Sequence, residues 1–358
     1  MERSADSEQI PTQQFGRTSG RYLSSFRLTL ANVSETEWQK NSSPMPMTSL
    51  SLETSISEVF IVFKNASKTV ETSSAVPVTA APTTAMSLLG DEFQIEAEDL
   101  CETDTDMEIL LTILITSAPT HQVQRNTIRQ TWGHFAMRRD IRIAFVVGVS
   151  GNQKVEDQIA EESRLFRDII QISLVDNYFN LTSKVRSMLR WTSVHCSNTQ
   201  FLLKTDDDMF INIPVLLDFL RSRANISNVI YGRIATKWKP ARSKKSKWFV
   251  SKGEWESKFY PNFVTGPAYL MTFDCVTKLL AAAEGVPLLK LEDVFTTGIL
   301  AEKAGIRREG VKKFSNIRPK INNTCALSKL ISAHDIKSSE MFDIWRRLQD
   351  PGRKPCKG

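Results

Sequence analysis

Three consecutive carboxylates at the end of an apolar run are the residues of this sequence best suited to chemistry. Asp206, Asp207 and Asp208 follow the strand-like residues 201–203. Carboxylates at the carboxyl end of a buried parallel strand lie where open α/β sheets bind their ligands, and their oxygens suit Mg²⁺ or Mn²⁺. An acidic turn before a helix, with Pro214 in its first turn, explains the same residues. The triplet alone leaves helix capping and metal binding open.

A pair of arginines is the second candidate. Arg125 and Arg129 lie one helical turn apart, just beyond the first predicted strand at residues 109–116. Their guanidinium groups can therefore project from one helix face and bind a diphosphate. A solvated helix face is the alternative.

Two further segments have a composition compatible with a catalytic or ligand-binding site. Glu292 and Asp293 directly precede a predicted helix, where acidic residues also occur for helix-dipole reasons alone. Residues 260–269 are rich in aromatic residues, Gly and Pro, which favours either an ordinary turn or a close approach of the backbone to a ligand.

The elements that must position these residues form one α/β domain. Residues 1–90 are dominated by Ser, Thr, Pro and Ala, a composition that cannot bury enough apolar surface to fold. We predict a disordered stem over residues 1–100 and a catalytic domain over residues 101–358. Strand and helix patterns alternate in the domain, which favours βαβ units and a mostly parallel sheet. The predicted strands are 109–116, 141–149, 169–172, 201–203 and 229–231, and the predicted helices are 122–132, 155–166, 181–196, 213–223 and one that begins near 294.

Positive charge is concentrated in one segment. The formal net charge is +6, and residues 233–258, here called the basic segment, contain nine Lys or Arg, two Glu and three Trp. Nucleic-acid binding is one interpretation of that composition. A loop that contacts an anionic substrate is favoured, because the segment adjoins the other candidates and no nucleic-acid-binding motif is present.

The cysteines and the apolar runs restrict the remaining classes. The five cysteines lack CxxC or His-rich spacing, which argues against structural zinc and leaves disulfides open. Asn-x-Ser/Thr sequons, weak evidence in a Ser/Thr-rich chain, occur at Asn32, Asn41, Asn65, Asn180, Asn225 and Asn322. No apolar run of about 20 residues and no signal-peptide core are visible, so the chain as written is predicted to be soluble.

Seven ordered blocks of sequence strengthen these separate signals. They are Arg125 to Trp132, Phe145 to Gly148, Asp168 to Lys184, Lys204 to Asn212, Lys247 to Ser251, Tyr260 to Tyr269, and Glu292 to Gly298. In this order they resemble the β-1,3-galactosyltransferases and their β-1,3-N-acetylglucosaminyltransferase relatives. The resemblance covers about residues 108–348.

The resemblance implies a GT-A fold, a UDP-sugar donor, Mn²⁺ and inverting transfer that creates a β-1,3 linkage. By position, Asp208 is the principal metal ligand, with Asp206 and His334 as further ligands. Asp293 is the expected catalytic base, and Glu292 is the runner-up. The residues expected to bind the UDP-sugar are Arg125, Arg129, Lys204, Asp206, Asp207, Trp248, Tyr260 and Gly266.

The resemblance also leaves choices open. Galactose is favoured over N-acetylglucosamine as the transferred sugar, and a catalytically silent glycan-binding relative is a further alternative. The expected partners are the UDP-sugar and a glycan acceptor on a glycoprotein or glycolipid, without nucleic acid, in the Golgi apparatus. The family is anchored by a transmembrane helix, which this sequence does not display. Val264 and Thr265 stand where the family commonly has Cys before a Ser-Gly pair, so a cysteine-based contact there is in doubt.

Overall fold

The protein has an α/β fold built on one large mixed sheet. A computed structural model describes residues 92–103, 107–352 and Cys356. The eight strands lie in the order β1-β4-β3-β2-β5-β8-β7-β9, and four of the seven neighbouring pairs are parallel. The predicted α/β fold with a mostly parallel sheet between helices is confirmed. Among the described residues, no helix has the length and apolar composition that crossing a bilayer requires.

The strands of the large sheet include every strand predicted from sequence. Their bounds are β1 Phe93–Ile95, β2 Ile109–Thr116, β3 Ile141–Val149, β4 Ile169–Val175, β5 Thr199–Asp206, β7 Val229–Ala235, β8 Phe263–Thr272 and β9 Arg307–Gly310. A smaller sheet contains β6 Phe210–Ile211, β10 Phe314–Ser315 and β11 Ser332–Ala333. Strands β2 and β3 have the predicted bounds, and β4, β5 and β7 are longer than predicted.

Helices cover both faces of the large sheet. They are α1 Gln122–Gln130, α2 Gln153–Phe166, α3 Leu181–His195, α4 Ile213–Arg221, α5 Asp274–Ala283, α6 Ala301–Lys303, α7 Thr324–Leu327 and α8 Ser338–Gln349. A π-helix, Val294–Leu300, leads directly into α6. The predicted bounds of α1 to α4 are correct to within two residues.

Alternation along the strands divides the core into two layers. In β2, Ile113 and Ile115 pack with α1, α2, α4 and α8, whereas Leu114 packs with α3, α5 and the π-helix. All three side chains are fully buried. A strand that is buried on both faces is apolar throughout, which explains the uninterrupted run from which β2 was predicted.

Crossover connections bring the candidate residues to one edge of the sheet. Strands β2, β3, β4 and β5 are parallel and joined through helices, so their carboxyl ends lie on the same side. Thr116, the last residue of β2, pairs with Asp206, the last residue of β5. The loops after β2 and β5 therefore meet beside each other.

Strand β8 occupies most of residues 260–269, for which the sequence left open an ordinary turn or a close approach of the backbone to a ligand. It pairs antiparallel with both β5 and β7, and its register with β7 shifts between Gly232 and Ile234. Gly232 pairs with Tyr269, whereas Ile234 pairs with Val264, so β8 carries extra residues across this interval. Bulges of this kind are common beside active sites. The bulged stretch contains Gly266.

The amino-terminal boundary of the fold also differs from the prediction. Strand β1, which lies within the predicted stem, pairs antiparallel with β4. A disulfide joins Cys101 to Cys196 at the end of α3, and a second joins Cys325 to Cys356. Residues 92–100 are therefore part of the folded domain. The remainder of the predicted stem, residues 1–91, lies outside the described residues.

Candidate active site

The aspartate triplet lies where β5 leaves the large sheet. Asp206 is the last residue of β5, and Asp207 and Asp208 form the turn that leads to β6. The indole nitrogen of Trp132 donates a hydrogen bond to the carbonyl of Met209, with 3.0 Å between the two atoms. This bond ties the turn that follows β5 to Trp132, which lies just after α1.

Asp207 binds the loop that follows β2. Its Oδ2 accepts a hydrogen bond from the Ser117 hydroxyl at 2.7 Å and lies 2.9 Å from Nδ1 of His121. The hydrogen bond to Asp207 raises the pKa of His121. The Lys184 ammonium donates to the Ser117 carbonyl and to the Asp176 carboxylate, both at 2.6 Å. Sequence reasoning gave Ser117, His121 and Lys184 no role, because packing between distant segments creates these contacts.

Asp208 stands beside His334, as the resemblance implied. Strand β11 runs antiparallel to β6 with Ala333 opposite Phe210, which places His334 next to the triplet. Nε2 of His334 lies 3.3 Å from Oδ2 of Asp208. Nδ1 lies 3.2 Å from the carbonyl of Asn316, so Nδ1 carries a proton that this oxygen accepts. The hydrogen bond with Asp208 raises the pKa of His334.

Asp208 also has an unsatisfied oxygen. Its Oδ1 is buried and has no hydrogen-bond partner among the described residues. Buried carboxylate oxygens without a partner are rare, because desolvating them is unfavourable. The position therefore suits a ligand that supplies positive charge.

A buried lysine connects the triplet to the second acidic pair. The Lys204 ammonium lies 2.5 Å from Oδ1 of Asp206, donates to the Gly266 carbonyl at 2.9 Å, and lies 3.8 Å from Oε2 of Glu292. Burial acts to lower the pKa of Lys204, but the charges of Asp206 and Glu292 raise it overall. The N–H of Gly266 donates to Oδ2 of Asp293 at 3.0 Å. The backbone of a single residue, Gly266, thus joins Lys204 to Asp293.

The two residues of that acidic pair occupy different environments. Glu292 is 3% exposed, and its Oε1 accepts a hydrogen bond from the Tyr269 hydroxyl at 2.7 Å. Burial raises the pKa of Glu292 to about 7. Asp293 is half-buried, and its Oδ1 accepts from the N–H of Val294 at 2.9 Å. Burial raises the pKa of Asp293 as well, against the effect of its two backbone hydrogen bonds. Of the two residues, Asp293 is the less buried.

Tyr178 is a site residue that sequence reasoning left without a role. Tyr178 is 43% exposed, and its ring lies 6.0 Å from that of Phe179. Burial raises the pKa of Tyr178, and the charge of Asp293 raises it further. Tyr178 therefore lies within electrostatic reach of Asp293. Its place in the block Asp168 to Lys184 was the available signal.

The two aromatic residues predicted to bind the donor differ in exposure. Trp248 is 54% exposed, and Nζ of Lys247 lies 4.7 Å from the centre of its ring. Tyr260 is 6% exposed and packs against the rings of Trp255 and Phe263 at 5.6 and 6.4 Å. The Tyr260 hydroxyl has no hydrogen-bond partner in the described part of the chain, and burial raises its pKa to about 12.

Arg125 and Arg129 do not form the open diphosphate grip that was predicted. The Arg125 side chain has no exposed surface and donates to both oxygens of Glu162 at 2.8 and 2.7 Å, and to the Ala118 carbonyl at 2.7 Å. Arg129 is paired with Glu162 and Asp168, each at 2.7 Å. Arg125 therefore holds the loop after β2 through buried hydrogen bonds. Arg129 connects α1 to α2 and to the start of β4.

The predicted metal ligands are only partly brought together. In residues 92–103 and 107–352 and at Cys356, no group of three or more His, Cys, Asp or Glu is arranged to hold a metal ion. Asp208 and His334 are adjacent, whereas Oδ1 of Asp206 is bound to Lys204 and to the Thr116 hydroxyl. The structure therefore brings two of the three predicted ligands, Asp208 and His334, into contact.

Comparison with known proteins identifies relatives of this chain. The family model described as galactosyltransferase matches residues 123–312, which include the triplet, the basic segment and the acidic pair. Mouse beta-1,3-galactosyltransferase 5 is 32% identical over 69% of this chain and 81% of its own length.

Two other relatives carry a different sugar in their names. Human N-acetyllactosaminide beta-1,3-N-acetylglucosaminyltransferase 4 is 31% identical over 72% of this chain and 69% of its own length. Human lactosylceramide 1,3-N-acetyl-beta-D-glucosaminyltransferase is 28% identical over 73% of this chain and 70% of its own length. With the family model and these relatives covering the part of the chain that forms the site, the chain belongs to the galactosyltransferase family.

Proposed function

We propose that this protein is an inverting β-1,3-glycosyltransferase that moves galactose from a UDP-sugar to the 3-hydroxyl of a glycan acceptor. The observation that carries the proposal is the chain of contacts from Asp206 through Lys204 and Gly266 to Asp293. It connects the half-buried Asp293, whose carboxylate is suited to proton transfer, to the turn that carries Asp208, which contacts His334.

Asp293 is the group that takes the proton from the attacking acceptor hydroxyl. Inverting transfer needs a carboxylate in that position, and a base works best when its pKa approaches the working pH. The backbone N–H groups of Gly266 and Val294 orient the carboxylate of Asp293, and burial raises its pKa. Glu292 is the runner-up, since it is buried behind Asp293 and hydrogen-bonded by Tyr269.

The residues around Asp208 fit Mn²⁺. Oδ1 of Asp208 is buried without a partner, and Nε2 of His334 points at the same carboxylate. The Nδ1–H bond to Asn316 leaves Nε2 of neutral His334 as the nitrogen available for a metal. Asp208 and His334 would hold the ion, with Asp206 nearby. When bound, Mn²⁺ would neutralise charge on the UDP leaving group.

The remaining donor contacts are assigned to residues around this centre. Lys204 contributes a fixed positive charge next to Asp206, and Gly266 brings its backbone close to both acidic groups. Trp248 offers an exposed ring, and the Tyr260 hydroxyl is buried without a partner among the described residues, so Tyr260 would meet the donor only at the edge of the site. We assign no direct donor contact to Arg125 or Arg129.

Galactose is the favoured sugar, and N-acetylglucosamine is the second candidate. The family description and the mouse relative both refer to galactosyl transfer. The name of the human relative with 31% identity supports the second sugar. Pocket shape decides between the two.

The proposed working place is the Golgi lumen, with a glycan on a glycoprotein or glycolipid as acceptor, in association with the membrane. The two disulfides favour an oxidising compartment of the secretory route. No nucleic-acid partner is proposed.

The test is a turnover assay with the purified chain, Mn²⁺, and either UDP-galactose or UDP-N-acetylglucosamine. We expect UDP release that depends on a glycan acceptor, with a product whose new linkage is β-1,3 by NMR. Faster turnover with UDP-N-acetylglucosamine would make N-acetylglucosamine the favoured sugar and galactose the second candidate. Binding of UDP without release under every acceptor condition would identify a silent relative and overturn the proposal.

A further inference from the structure

The basic segment carries positive charge that the protein itself does not neutralise. Lys237, Lys239, Lys244, Lys245 and Lys252 are all exposed. Within the described ranges, the only ion pair of residues 233–258 joins Glu254 to Lys290 at 3.3 Å, so none of the segment's own cations is paired. No Asp or Glu occurs between residues 233 and 253. The segment therefore presents a positively charged surface that can attract a partner with negative charge.

The segment is held in a defined conformation. The Arg242 guanidinium donates to the carbonyls of Val250, Ser251 and Trp255 at 2.8, 2.6 and 2.6 Å. Val250 is fully buried, and its N–H donates to the Ala241 carbonyl at 2.9 Å. Arg242 thus braces the segment from within, and the five lysines project from a folded surface.

Lys290 connects this surface to the residues beside the acidic pair. Its ammonium pairs with Glu254 at 3.3 Å and lies 5.4 Å from the ring centre of Phe249 and 5.9 Å from that of Phe179. The neighbouring Tyr178 lies close enough to Asp293 for that charge, after burial, to raise its pKa. Because Asp293 takes the proton of the acceptor hydroxyl, the rings of Tyr178 and Trp248 border the place where the acceptor lies. Lys247 lies against the Trp248 ring, so positive charge begins directly beside this aromatic surface.

The donor diphosphate does not account for the whole segment. Its leaving group is assigned to the neighbourhood of Asp208 and His334, on the β6 side of the triplet. A diphosphate also needs only a few close cations, whereas residues 237–252 contain seven Lys or Arg. The excess extends over an exposed surface.

We propose that the basic segment binds a sulfate or carboxylate group of the acceptor, so that the enzyme selects acidic glycans over neutral ones. This inference rests on the proposed function. It names the class of acceptor, with the aromatic rings of Tyr178 and Trp248 contacting the sugar and the lysines contacting its acidic substituent.

The experiment compares kcat/KM for a neutral acceptor oligosaccharide and for its sulfated counterpart. We expect the sulfated acceptor to be preferred and the preference to decline as salt screens the charges. Lys244→Gln with Lys245→Gln should reduce the preference by roughly two- to fivefold per lysine, the usual scale for an exposed charge pair. Turnover of the neutral acceptor and KM for the donor should not change.

A matched control removes the same charge elsewhere. Lys154→Gln with Lys329→Gln replaces two exposed lysines outside the segment and should leave the preference unchanged. Equal kcat/KM for the two acceptors in the unmodified enzyme would overturn the inference while leaving the proposed function intact. A raised KM for the UDP-sugar in Lys244→Gln with Lys245→Gln, at constant acceptor preference, would assign the segment to the donor and also overturn it.

Binding separates the inference from turnover. Titration calorimetry with the sulfated and the neutral oligosaccharide should show tighter binding of the sulfated one, even if no sugar is transferred. Equal binding would contradict the inference. Stronger retention on DNA or on anionic phospholipid vesicles than on the sulfated glycan, lost in the Lys244 and Lys245 variant, would assign the segment to that other partner instead.

Discussion

At the scale of single residues, the site depends on how burial divides two adjacent carboxylates. Glu292 points inward to Tyr269 and Lys204, whereas Asp293 is half-buried and held by two backbone N–H groups. Both pKa values are raised by burial. The pair therefore provides one carboxylate that belongs to the interior and one that can meet a substrate.

Asp293→Asn tests the assignment of the base. The variant keeps size and hydrogen bonding but loses the basic oxygen, so kcat should fall by roughly 10² or more while UDP and Mn²⁺ binding survive. Single-turnover kinetics and UDP titration measure the two effects separately. Glu292→Gln is the matched control and should be the milder change. Transfer that survives in Asp293→Asn and is lost in Glu292→Gln would reverse the two roles.

Asp208→Ala tests the proposed metal site. Its carboxylate supplies the unpartnered oxygen and contacts His334. Mn²⁺-dependent turnover should be abolished, because the diphosphate charge then lacks its counter-ion. The effect is measured as UDP release over a Mn²⁺ titration, and Mn²⁺ binding to the protein is followed independently by electron paramagnetic resonance. Near-normal activity at every Mn²⁺ concentration would remove Asp208 from the metal site.

The pKa of Glu292 predicts how stability depends on pH. Its ordinary value of 4.5 applies to the unfolded chain, and burial raises it to about 7 in the folded protein. The folded state therefore holds the proton more tightly, and the resulting stability is present below the unfolded pKa and is lost as pH rises through about 7.

Glu292→Gln should remove this dependence. Between about pH 5 and pH 8, the free energy of unfolding of the unmodified protein should fall relative to that of the variant, by up to about 3 kcal/mol. Urea unfolding at both ends of that interval gives the comparison. Parallel pH profiles for the two proteins would contradict the raised pKa.

At the scale of elements, a strand that is buried on both faces could be predicted from its continuous apolar sequence. A strand that contains Gly and Pro could not. Strands β2 and β3 were predicted with their observed bounds because both of their faces are apolar. Strand β8 was not predicted, because Gly266 and Pro267 lie within it. Its pairing with β5 and β7 outweighs these local signals, and the bulge accommodates both residues.

The site was predictable to the extent that it consists of neighbouring residues in sequence. The Asp triplet and the Glu292-Asp293 pair were found from their composition and place in the order of elements. The contacts of Ser117, His121 and Lys184 arise between distant segments, which periodicity does not reveal. The spacing of Arg125 and Arg129 predicted a shared face correctly, but the spacing carried no information about Glu162, which neutralises them.

The π-helix offers a prediction at the same scale. A Cβ added at Gly298 would lie 3.1 Å from Cβ of Phe263 and 3.4 Å from Cγ of Pro261. Gly298→Ala gains about 1 kcal/mol in helix propensity, but crowding against β8 should cost about 1–3 kcal/mol. We expect a net loss in the free energy of unfolding and a lower kcat, because Asp293 caps this helix.

Gly253→Ala is the matched control for that change. Gly253 is exposed, and the nearest atom to an added Cβ is Oγ of Ser251 at 4.0 Å. Its thermal midpoint and its activity should stay close to those of the unmodified protein. Equal stability of the Gly298 and Gly253 variants would show that β8 and the π-helix can move apart without a loss in the free energy of unfolding.

At the scale of the whole molecule, the two disulfides connect chain ends to the domain. The disulfide of Cys101 joins the segment that follows β1 to the end of α3. The disulfide of Cys325 joins α7 to Cys356, which follows α8 in the chain. Cys275 is the one free cysteine of the described residues, and it is buried. Thiol counting therefore reports on the compartment in which the protein folds. Protein that has passed through the secretory route should show one alkylatable thiol when it is denatured without reductant, and five thiols after reduction.

The two disulfides should contribute unequally to stability. The Cys101–Cys196 bond closes a sequence separation of 95 residues, and the Cys325–Cys356 bond closes 31. Restriction of the unfolded chain grows with the logarithm of loop length, so Cys101→Ser with Cys196→Ser should lower the free energy of unfolding by about 1 kcal/mol more than Cys325→Ser with Cys356→Ser. Chemical unfolding of the two double variants measures this difference. An equal or reversed order would mean that native contacts around the bonds, rather than the entropy of the unfolded chain, determine their contribution.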